Sequence, residues 1–430
     1  MKVTFPRMFS LIQRTPNPHD REPDQGEPVD AIVGHLLTEV PSGGCVGLAV
    51  GSRGIAGLGS LIATCCTAIK ARGFTVRILL AMGSHGGATS GGQKQVLASY
   101  GVDQEQLACP IDANMETMDL GPSSLGTHVH WSRAASQVDA VVMINRVKPH
   151  TDFKGSLGSG LLKMLVVGLG KREGAAGFHR AAMQHGYENV LRAHAEHILR
   201  AMPIAGGLAI LENARHERHS LHGVHAKVMV EHEEELFKIA AGLMPRLPSD
   251  NLDLLIVDQI GKNLSGSGMD PNIIGRGVHG YSTHFAEQPD SPRIKRIMVR
   301  DLSAESHGNA IGIGMADFTT SRLVRAMNKP MTFVNAMTAM TLSGAKIPIH
   351  FERDDEVIQW ALDTLVDAVN AGPRVLRIRD TLNLDFMEAS EALLPELQSR
   401  EEIKILSPLE VMAFNQEGQL KDLPRQAPLS

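Results

Sequence analysis

Short apolar runs and helix-like apolar spacings alternate along the first half of the chain. The apolar runs predict strands at residues 45–50, 75–82, 138–147 and 206–213. Apolar residues at helical spacing predict helices at residues 58–71, 93–100 and 187–202. Strands that alternate with helices indicate βαβ units, in which neighbouring strands run parallel. The pattern therefore predicts an α/β fold with mostly parallel sheets.

A polar segment with two prolines, residues 244–253, divides the chain, and a second alternating series follows it. This series predicts strands at residues 252–259, 294–302 and 374–381, helices near 319–341 and 354–371, and mainly strand-turn segments at 382–430. The proline-rich residues 14–29 predict an extended lead-in. We therefore expect two α/β domains, residues 1–245 and 246–430.

Composition narrows the class of protein. The 430 residues carry a net charge of −5, so no basic field points to nucleic acid. The four cysteines lack zinc-site spacing and favour a reduced compartment. The N-terminus lacks the apolar core of a signal peptide, and no apolar run approaches the roughly 18 residues of a membrane span. We expect a soluble, cytoplasmic protein without a nucleic-acid or membrane partner.

Polar residues flanked by glycine follow three of the predicted strands. The strands lead into Gly51-Ser52-Arg53-Gly54, Gly83-Ser84-His85-Gly86-Gly87 and Lys148-Pro149-His150. Ligands of open α/β sheets bind at the carboxyl ends of strands. If these strands are neighbours, Arg53, His85 and His150 converge on one cleft. One such turn would suit a tight strand-to-helix connection alone, but three in register favour a site where backbone approaches a ligand.

Lys163 lies among leucines in a second glycine-rich stretch, KGSLGSGLLKM. Two leucines separate Gly160 from Lys163, so the stretch is not the Gly-Lys-Ser/Thr motif of a nucleotide triphosphatase. A desolvated lysine can serve as a nucleophile or covalent tether. The alternative is a lysine that extends its ammonium from an apolar face to water.

The segments GSRG, MGSHGG, KPHTDFKG…GLLKM and GFHR, in this order and spacing, resemble the nickel-dependent lactate racemases and related 2-hydroxyacid racemases and epimerases. The resemblance implies a two-domain α/β fold with the active site in the interdomain cleft. Residues 1–245 would bind the cofactor and carry catalysis, and residues 246–430 would close over the substrate. The implied cofactor is nickel-pincer nucleotide, a pyridinium-3,5-bisthiocarboxylic acid mononucleotide that holds nickel (Ni).

The resemblance also assigns roles within this sequence. His85 and His150 match two catalytic bases, Lys163 matches a lysine that tethers the cofactor through a thioamide, and His179 matches a nickel ligand. The remaining expected cofactor contacts are Ser52, Arg53, Gly54 and Gly86. The chemistry agrees with these roles: hydride removal gives a flat keto acid, a pyridinium ring accepts hydride, and each enantiomer needs its own base near neutral pH.

The region of residues 261–280 departs from the lactate enzymes, because it lacks their tyrosine, glutamine and lysine cluster. We expect substrate contacts from Lys262, Asn263, Ser265 and Arg276. These side chains favour a polar 2-hydroxy acid, such as a sugar acid or a hydroxydicarboxylate. The resemblance also implies maturation by cofactor-biosynthesis enzymes. Assembly is left open, with a homodimer as one alternative.

Two other functions stay open: a divergent metal-dependent hydrolase, and a non-catalytic nickel- or nucleotide-binding protein that uses the same histidines. Elsewhere, His216, His219, His222 and His225 recur every third residue, which favours a solvated loop or hairpin over a metal site. The run Glu233-Glu234-Glu235 predicts a solvent-facing charged helix surface.

Overall fold

The computed structural model describes residues 4–14, 26–51, 55–83, 87, 89–151, 155–277, 291–338, 341–365 and 372–423. The chain divides into two compact units. The N-terminal unit is Pro18–Met244, and the C-terminal unit combines Met1–Asn17 with Pro245–Ser430.

The strands of the described residues are numbered in chain order. They are β1 (Arg7–Gln13), β2 (Cys45–Val50), β3 (Thr75–Leu80), β4 (Ile111–Asp112), β5 (Thr117–Pro122), β6 (His128–Ser132), β7 (Ala140–Arg146), β8 (Ile204–Glu212), β9 (Arg218–His225), β10 (Asn251–Ile260), β11 (Arg293–Leu302), β12 (Phe318–Thr320), β13 (Ile349–Phe351), β14 (Val375–Ile378), β15 (Phe386–Ser390), β16 (Ile403–Ile405) and β17 (Glu410–Val411).

The α-helices of the described residues are numbered in the same way. They are α1 (Val29–Leu36), α2 (Leu58–Ala71), α3 (Ser90–Ser99), α4 (Gln104–Leu107), α5 (Leu161–Lys163), α6 (Lys171–His185), α7 (Tyr187–Ala201), α8 (Met229–Leu243), α9 (Pro271–Ile274), α10 (Ser321–Ala326), α11 (Lys329–Thr338), α12 (Asp354–Asp363) and α13 (Leu394–Leu397). A π-helical turn, Met164–Gly168, continues directly from α5. No helix in the described part of the chain is long and apolar enough to cross a membrane.

The sheet of the N-terminal unit has the strand order β4-β3-β2-β7-β8-β9. All neighbouring pairs are parallel except β8 with β9, which form an antiparallel hairpin. This confirms the predicted α/β fold with mostly parallel pairing. The strand β9 also shows that the four regularly spaced histidines belong to a hairpin, and the described residues contain no cluster of three or more side chains fit to hold a metal.

The core of this unit forms where α1 and α2 cover the sheet. Ile62, Cys65 and Ile69 recur at helical spacing on α2 and are fully buried against alternate residues of β2, such as Leu48. Burial raises the pKa of the Cys65 thiol to about 12, so this thiol stays protonated at neutral pH. Cys65, Cys66 and Cys109 are therefore packing residues of this core, and all four cysteines are free thiols.

The sheet of the C-terminal unit has the order β13-β12-β11-β10-β14-β15-β1-β16, and β17 also pairs with β1. The neighbouring strands β13, β12, β11, β10 and β14 pair in parallel. The pairs β14 with β15, β15 with β1 and β1 with β16 are antiparallel. The expected division assigned residues 1–245 to the first domain, whereas β1 lies in the second sheet. The reason is that β1 pairs with β15, from Met8 opposite Ser390 to Ile12 opposite Phe386. This pairing buries Phe9 and Leu11 in the core of the C-terminal unit.

Buried charges join the central strands of this sheet. Asp258 on β10 accepts two hydrogen bonds from Arg377 on β14, at 2.9 and 2.8 Å, and lies 2.9 Å from Arg300 on β11. Arg300 also pairs with Asp354 at the start of α12. At most 6% of any of these four side chains is exposed. The network therefore fastens α12 to the strands through fully desolvated ion pairs.

Candidate functional site

The three strands that precede the predicted site residues are neighbours, in the order β3-β2-β7. Because they are parallel, their carboxyl ends lie at one edge of the sheet. His150 follows β7 at that edge. The other expected residues there, Ser52, Arg53, Gly54, His85 and Gly86, lie outside the described residues.

Lys163 and His150 are brought into direct contact. The Nζ atom of Lys163 forms a hydrogen bond with Nε2 of His150. Lys163 is half-buried and His150 is buried. An ammonium group would donate to a neutral ring at this contact, and a neutral amine would accept from a ring that carries a proton on Nε2. The arrangement therefore presents a lysine nitrogen beside an imidazole nitrogen.

Aromatic rings connect His150 to the helix that carries His179. The His150 ring lies 5.2 Å from that of Tyr187, and Tyr187 packs edge to face on Phe178 at 4.8 Å. Phe178 is buried on α6, whereas the next residue, His179, is exposed. The buried rings thus fix α6 relative to His150, and the exposed imidazole of His179 belongs to the same rigid group of elements.

The segment that bears Lys163 packs tightly on the ends of β2 and β3. A Cβ atom on Gly51 would lie 2.7 Å from Cε of Met164, and one on Gly83 would lie 3.1 Å from the carbonyl oxygen of Val167. Gly83 also has a φ of +56°, which favours glycine. Protein contacts with the π-helical turn therefore account for these two glycines, without a ligand. Such turns occur frequently at functional sites.

The glycines of residues 155–160 also meet protein rather than an open cavity. A Cβ atom on Gly155 would lie 2.0 Å from the Glu188 carboxylate, and one on Gly158 would lie 2.4 Å from the Lys148 carbonyl. Ser156 donates from its backbone to Glu188 at 2.9 Å, and its hydroxyl contacts both Glu188 and Glu234. Residues of α7 and α8 and the Lys148 carbonyl therefore occupy the space that side chains at these positions would need.

Glu233 is a residue whose importance the sequence analysis missed. The expectation of a charged surface is wrong at this position, since Glu233 is fully buried. Its Oε2 accepts the backbone N–H of Leu162 at 2.9 Å. Burial raises the pKa of Glu233 to about 7. Hydrogen bonds from the backbone N–H groups of Leu162 and Leu161 favour the anion and oppose this rise. The available signal was its helical spacing, which places it on the buried stripe with Met229, Leu236 and Ala240.

A second missed residue is Lys171, the first residue of α6. Only 1% of it is exposed, and Nζ donates to the carbonyl oxygen of Leu80, the last residue of β3, at 2.6 Å. Burial lowers the pKa of Lys171 to about 8, and the charge of Asp112 opposes this effect. The lysine therefore ties α6 to the sheet beneath the site edge. Its flanking glycine and charged neighbours gave no sign of burial.

Three of the four expected substrate residues share one turn of the C-terminal unit. Lys262, Asn263 and Ser265 follow β10 at the carboxyl end of its sheet. Lys262 donates to Oδ1 of Asn335, and Asn263 accepts from the hydroxyl of Ser303 at 2.7 Å. Asn335 also accepts from Asn309 at 2.9 Å. The turn therefore gathers amide, hydroxyl and ammonium groups, to which α11 adds Asn335.

Arg276 lies elsewhere in the same unit. It forms an ion pair with Asp317 at 2.8 Å and donates to the carbonyl oxygens of Met315, Ile294 and Lys295 at 3.0–3.1 Å. Ile294 and Lys295 begin β11, so this arginine sits at the amino end of a strand whose carboxyl end neighbours Lys262. Its contacts join α9 to β11, and the structure does not bring it together with the Lys262 turn.

Residues 57–190 match the family model of the lactate racemase N-terminal domain. The structure is similar to that of the lactate racemase apoprotein from Thermoanaerobacterium thermosaccharolyticum, with a TM-score of 0.50 and 14% sequence identity over 87% of this chain and 98% of that chain. At this identity the structural similarity concerns the fold. No curated protein sequence matches the chain. Residues 57–190 therefore resemble the lactate racemase N-terminal domain, and the chain shares the fold of a lactate racemase.

Proposed function

We propose that the chain is a nickel-dependent 2-hydroxyacid racemase or epimerase, an isomerase that works by reversible hydride transfer to a nickel-pincer nucleotide. The family match supports racemase- or epimerase-type chemistry in general. The observation that carries the finer proposal is the contact of Lys163 Nζ with His150 Nε2. This contact puts the expected tether and one expected base at the same strand end.

His150 acts as the base for one enantiomer. In its neutral form an imidazole has one nitrogen lone pair, which can take the proton of the substrate hydroxyl and later return it. Packing on Tyr187 at 5.2 Å restricts the ring to one orientation. His85, outside the described residues, is proposed as the base for the other enantiomer. Two bases are needed because the hydroxyl of each enantiomer approaches from a different side.

The described side chains fit the implied cofactor by their chemistry. Lys163 supplies a primary amine for a thioamide, and His179 supplies an exposed imidazole, which is an ordinary nickel ligand. No three His, Cys, Asp or Glu side chains of the described residues form a metal cage by themselves. When bound, the pyridinium ring would accept and return hydride.

The substrate class is proposed from the turn after β10. Lys262 can pair with a carboxylate, and Asn263, Asn335 and Ser303 offer hydrogen-bonding groups to additional hydroxyls or a second carboxylate. This supports a polar 2-hydroxy acid, such as a sugar acid or hydroxydicarboxylate. The location of the active site between the two domains stays a prediction.

The test uses chain matured together with the cofactor-biosynthesis enzymes. Lactate, a sugar acid and malate, each deuterated at C2, are offered separately, and the products are analysed by chiral chromatography and mass spectrometry. We expect turnover of a polar acid with deuterium retained at C2, because hydride transfer carries the label back to carbon. Loss of the label to water would indicate proton abstraction and contradict the hydride route. Turnover of lactate alone would contradict the proposed substrate class.

Variants separate binding from catalysis. Lys163→Ala and His179→Ala should lower the nickel content and the ring absorbance of purified protein. His85→Ala and His150→Ala should keep both and lose racemisation. His185→Ala, at the end of the same helix as His179, is the matched control and should keep both cofactor and activity. Retained cofactor without turnover of any 2-hydroxy acid would instead support a binding protein, and ester hydrolysis with zinc or iron would support a hydrolase.

A further inference from the structure

Glu233 lies where the turn that bears Lys163 begins. Its carboxylate reaches from α8 to the backbone N–H of Leu162, one residue before Lys163, at 2.9 Å. We infer that Glu233 is a positioning residue, which fixes this turn so that Lys163 meets His150. The catalytic meaning of this role rests on the proposed function, whereas the geometric claim concerns the chain alone.

The fit between Glu233 and the turn leaves no spare room. A Cβ atom on Gly160 would lie 2.1 Å from Oε1 of Glu233 and 2.8 Å from Oε2, so the carboxylate lies directly against the glycine backbone. Any larger residue at 160 would displace either the carboxylate or the turn. The glycine and the glutamate thus form a matched pair, and the path of the backbone into Lys163 depends on where the carboxylate sits.

Packing alone does not explain a carboxylate at this place. Glu233 is fully buried, and its Oε1 has no hydrogen-bond partner among the described residues. A buried carboxylate oxygen without a partner lowers stability, and an apolar side chain would fill the same space without that cost. What an apolar side chain cannot do is accept the N–H of Leu162 and hold it in one direction.

The same turn is held on its other side by the sheet. Asn145, near the end of β7, donates from Nδ2 to the carbonyl oxygen of Gly160 at 2.7 Å. Ser159 and Lys148 exchange backbone hydrogen bonds at 2.8 and 2.9 Å. Residues 159 and 160 are therefore fixed to the strand that leads to His150. Glu233 supplies the remaining constraint, on the peptide that sets the direction of Lys163.

The test follows Lys163 and His150 directly in the full-length chain without cofactor. The rate at which a water-soluble acylating reagent modifies Lys163 is measured by peptide mass spectrometry, and the titration of the His150 ring is followed by nitrogen-15 NMR. We expect Glu233→Leu to change the Lys163 rate about fivefold and to shift the His150 titration, as a loss of roughly 1 kcal/mol in orientation would.

Two further variants make the result specific to position. Glu233→Gln keeps a carbonyl oxygen for Leu162 and should restore both readouts to within about twofold of the wild type, because the amide has nearly the same shape. Glu235→Leu alters an exposed residue of the same helix and should leave both readouts unchanged. If Glu233 acted through packing alone, Glu233→Gln and Glu233→Leu would not differ in their effects on the two readouts.

The inference is overturned if folded Glu233→Leu protein retains the wild-type Lys163 rate and His150 titration. Should Glu233→Leu not fold, Glu233→Asp replaces it, since aspartate keeps the charge but is one methylene too short to reach Leu162. Wild-type readouts in folded Glu233→Asp protein would equally overturn it. All measurements omit the cofactor and activity, so failure of the proposed racemase function leaves this result intact, and the reverse also holds.

Discussion

The Nζ atom of Lys171 lies 2.6 Å from the carbonyl oxygen of Leu80, inside a part of the N-terminal unit from which water is excluded. Burial lowers the pKa of this lysine from 10.5 to about 8. Between these two values the unfolded chain binds a proton that the folded chain does not. The free energy of unfolding should therefore gain a contribution as pH rises through this window, by up to about 1.4 kcal/mol per pH unit.

Lys171→Met isolates this contribution. Urea denaturation of both proteins between about pH 8 and about pH 10.5 should give a wild-type free energy of unfolding that rises with pH relative to the variant, because methionine has no proton to lose. Other groups titrate in both proteins, so the difference between the two curves is the measured quantity. Parallel curves would contradict a desolvated lysine at this position.

Burial of His194 should lower the free energy of unfolding at acidic pH. His194 is buried on α7, and its Nε2 lies 2.8 Å from the hydroxyl of Thr127. Burial, then the charges of His197 and His130, lower the pKa of His194 from 6.5 to about 4. As pH falls from 6.5 towards 4, the unfolded chain binds a proton that the folded chain does not bind, so stability falls.

His194→Gln should lack this loss in urea denaturation, and NMR titration of the wild-type ring should show a midpoint near pH 4. A ring midpoint above about pH 6 would exclude the desolvated histidine.

Local periodicity was sufficient for much of the fold. The helix expected at residues 58–71 is α2, Leu58–Ala71, and the strand expected at 45–50 is β2, Cys45–Val50. The helix has apolar positions at helical spacing, and its burial follows that spacing, whereas the strand is a continuous apolar run that is buried from Val46 to Val50. The strand β1 was missed because its partners, including Ser390, lie far away in sequence. Pairing of that kind leaves no local signal.

Site residues were predictable from the sequence only where the type of side chain indicates a chemical role. His150 and Lys163 were singled out from sequence, and the structure joins them. Glu233 and Lys171 were missed because a charge in a sequence favours solvent, and only tertiary packing reveals that these two are buried. The glycines around Lys163 have protein contacts that the sequence does not reveal, such as that of Gly158 with the Lys148 carbonyl.

Gly158→Ala tests this account of the glycines. The added methyl group would lie 2.4 Å from the Lys148 carbonyl oxygen and 2.7 Å from the Phe237 ring, and backbone cannot move away cheaply. We expect a loss of about 1–3 kcal/mol in the free energy of unfolding. Gly242→Ala, on α8, has nothing within 4 Å of the new methyl group and should be neutral or stabilising by up to ~1 kcal/mol. Equal stability of the two variants would show that Gly158 is not sterically constrained.

Asp258→Asn tests the buried charge network of the C-terminal unit. Asp258 neutralises Arg377 and Arg300, and neither arginine has more than 4% of its side chain exposed. Burial works against the charge of Arg300, but Asp258 and Asp354 raise its pKa above the ordinary value. Arginine side chains stay protonated in proteins, so the two guanidinium groups remain charged when Asp258 is replaced. The variant keeps the pairs of Arg300 with Asp354 and of Arg377 with Glu388 but removes the carboxylate that the two arginines share, so we expect a loss of about 3 kcal/mol in the free energy of unfolding. Glu352→Gln breaks the solvent-exposed pair with Arg325, and should lower the free energy of unfolding far less than Asp258→Asn does. Denaturant titration of both variants decides the point, because equal losses would mean that burial does not strengthen the Asp258 network.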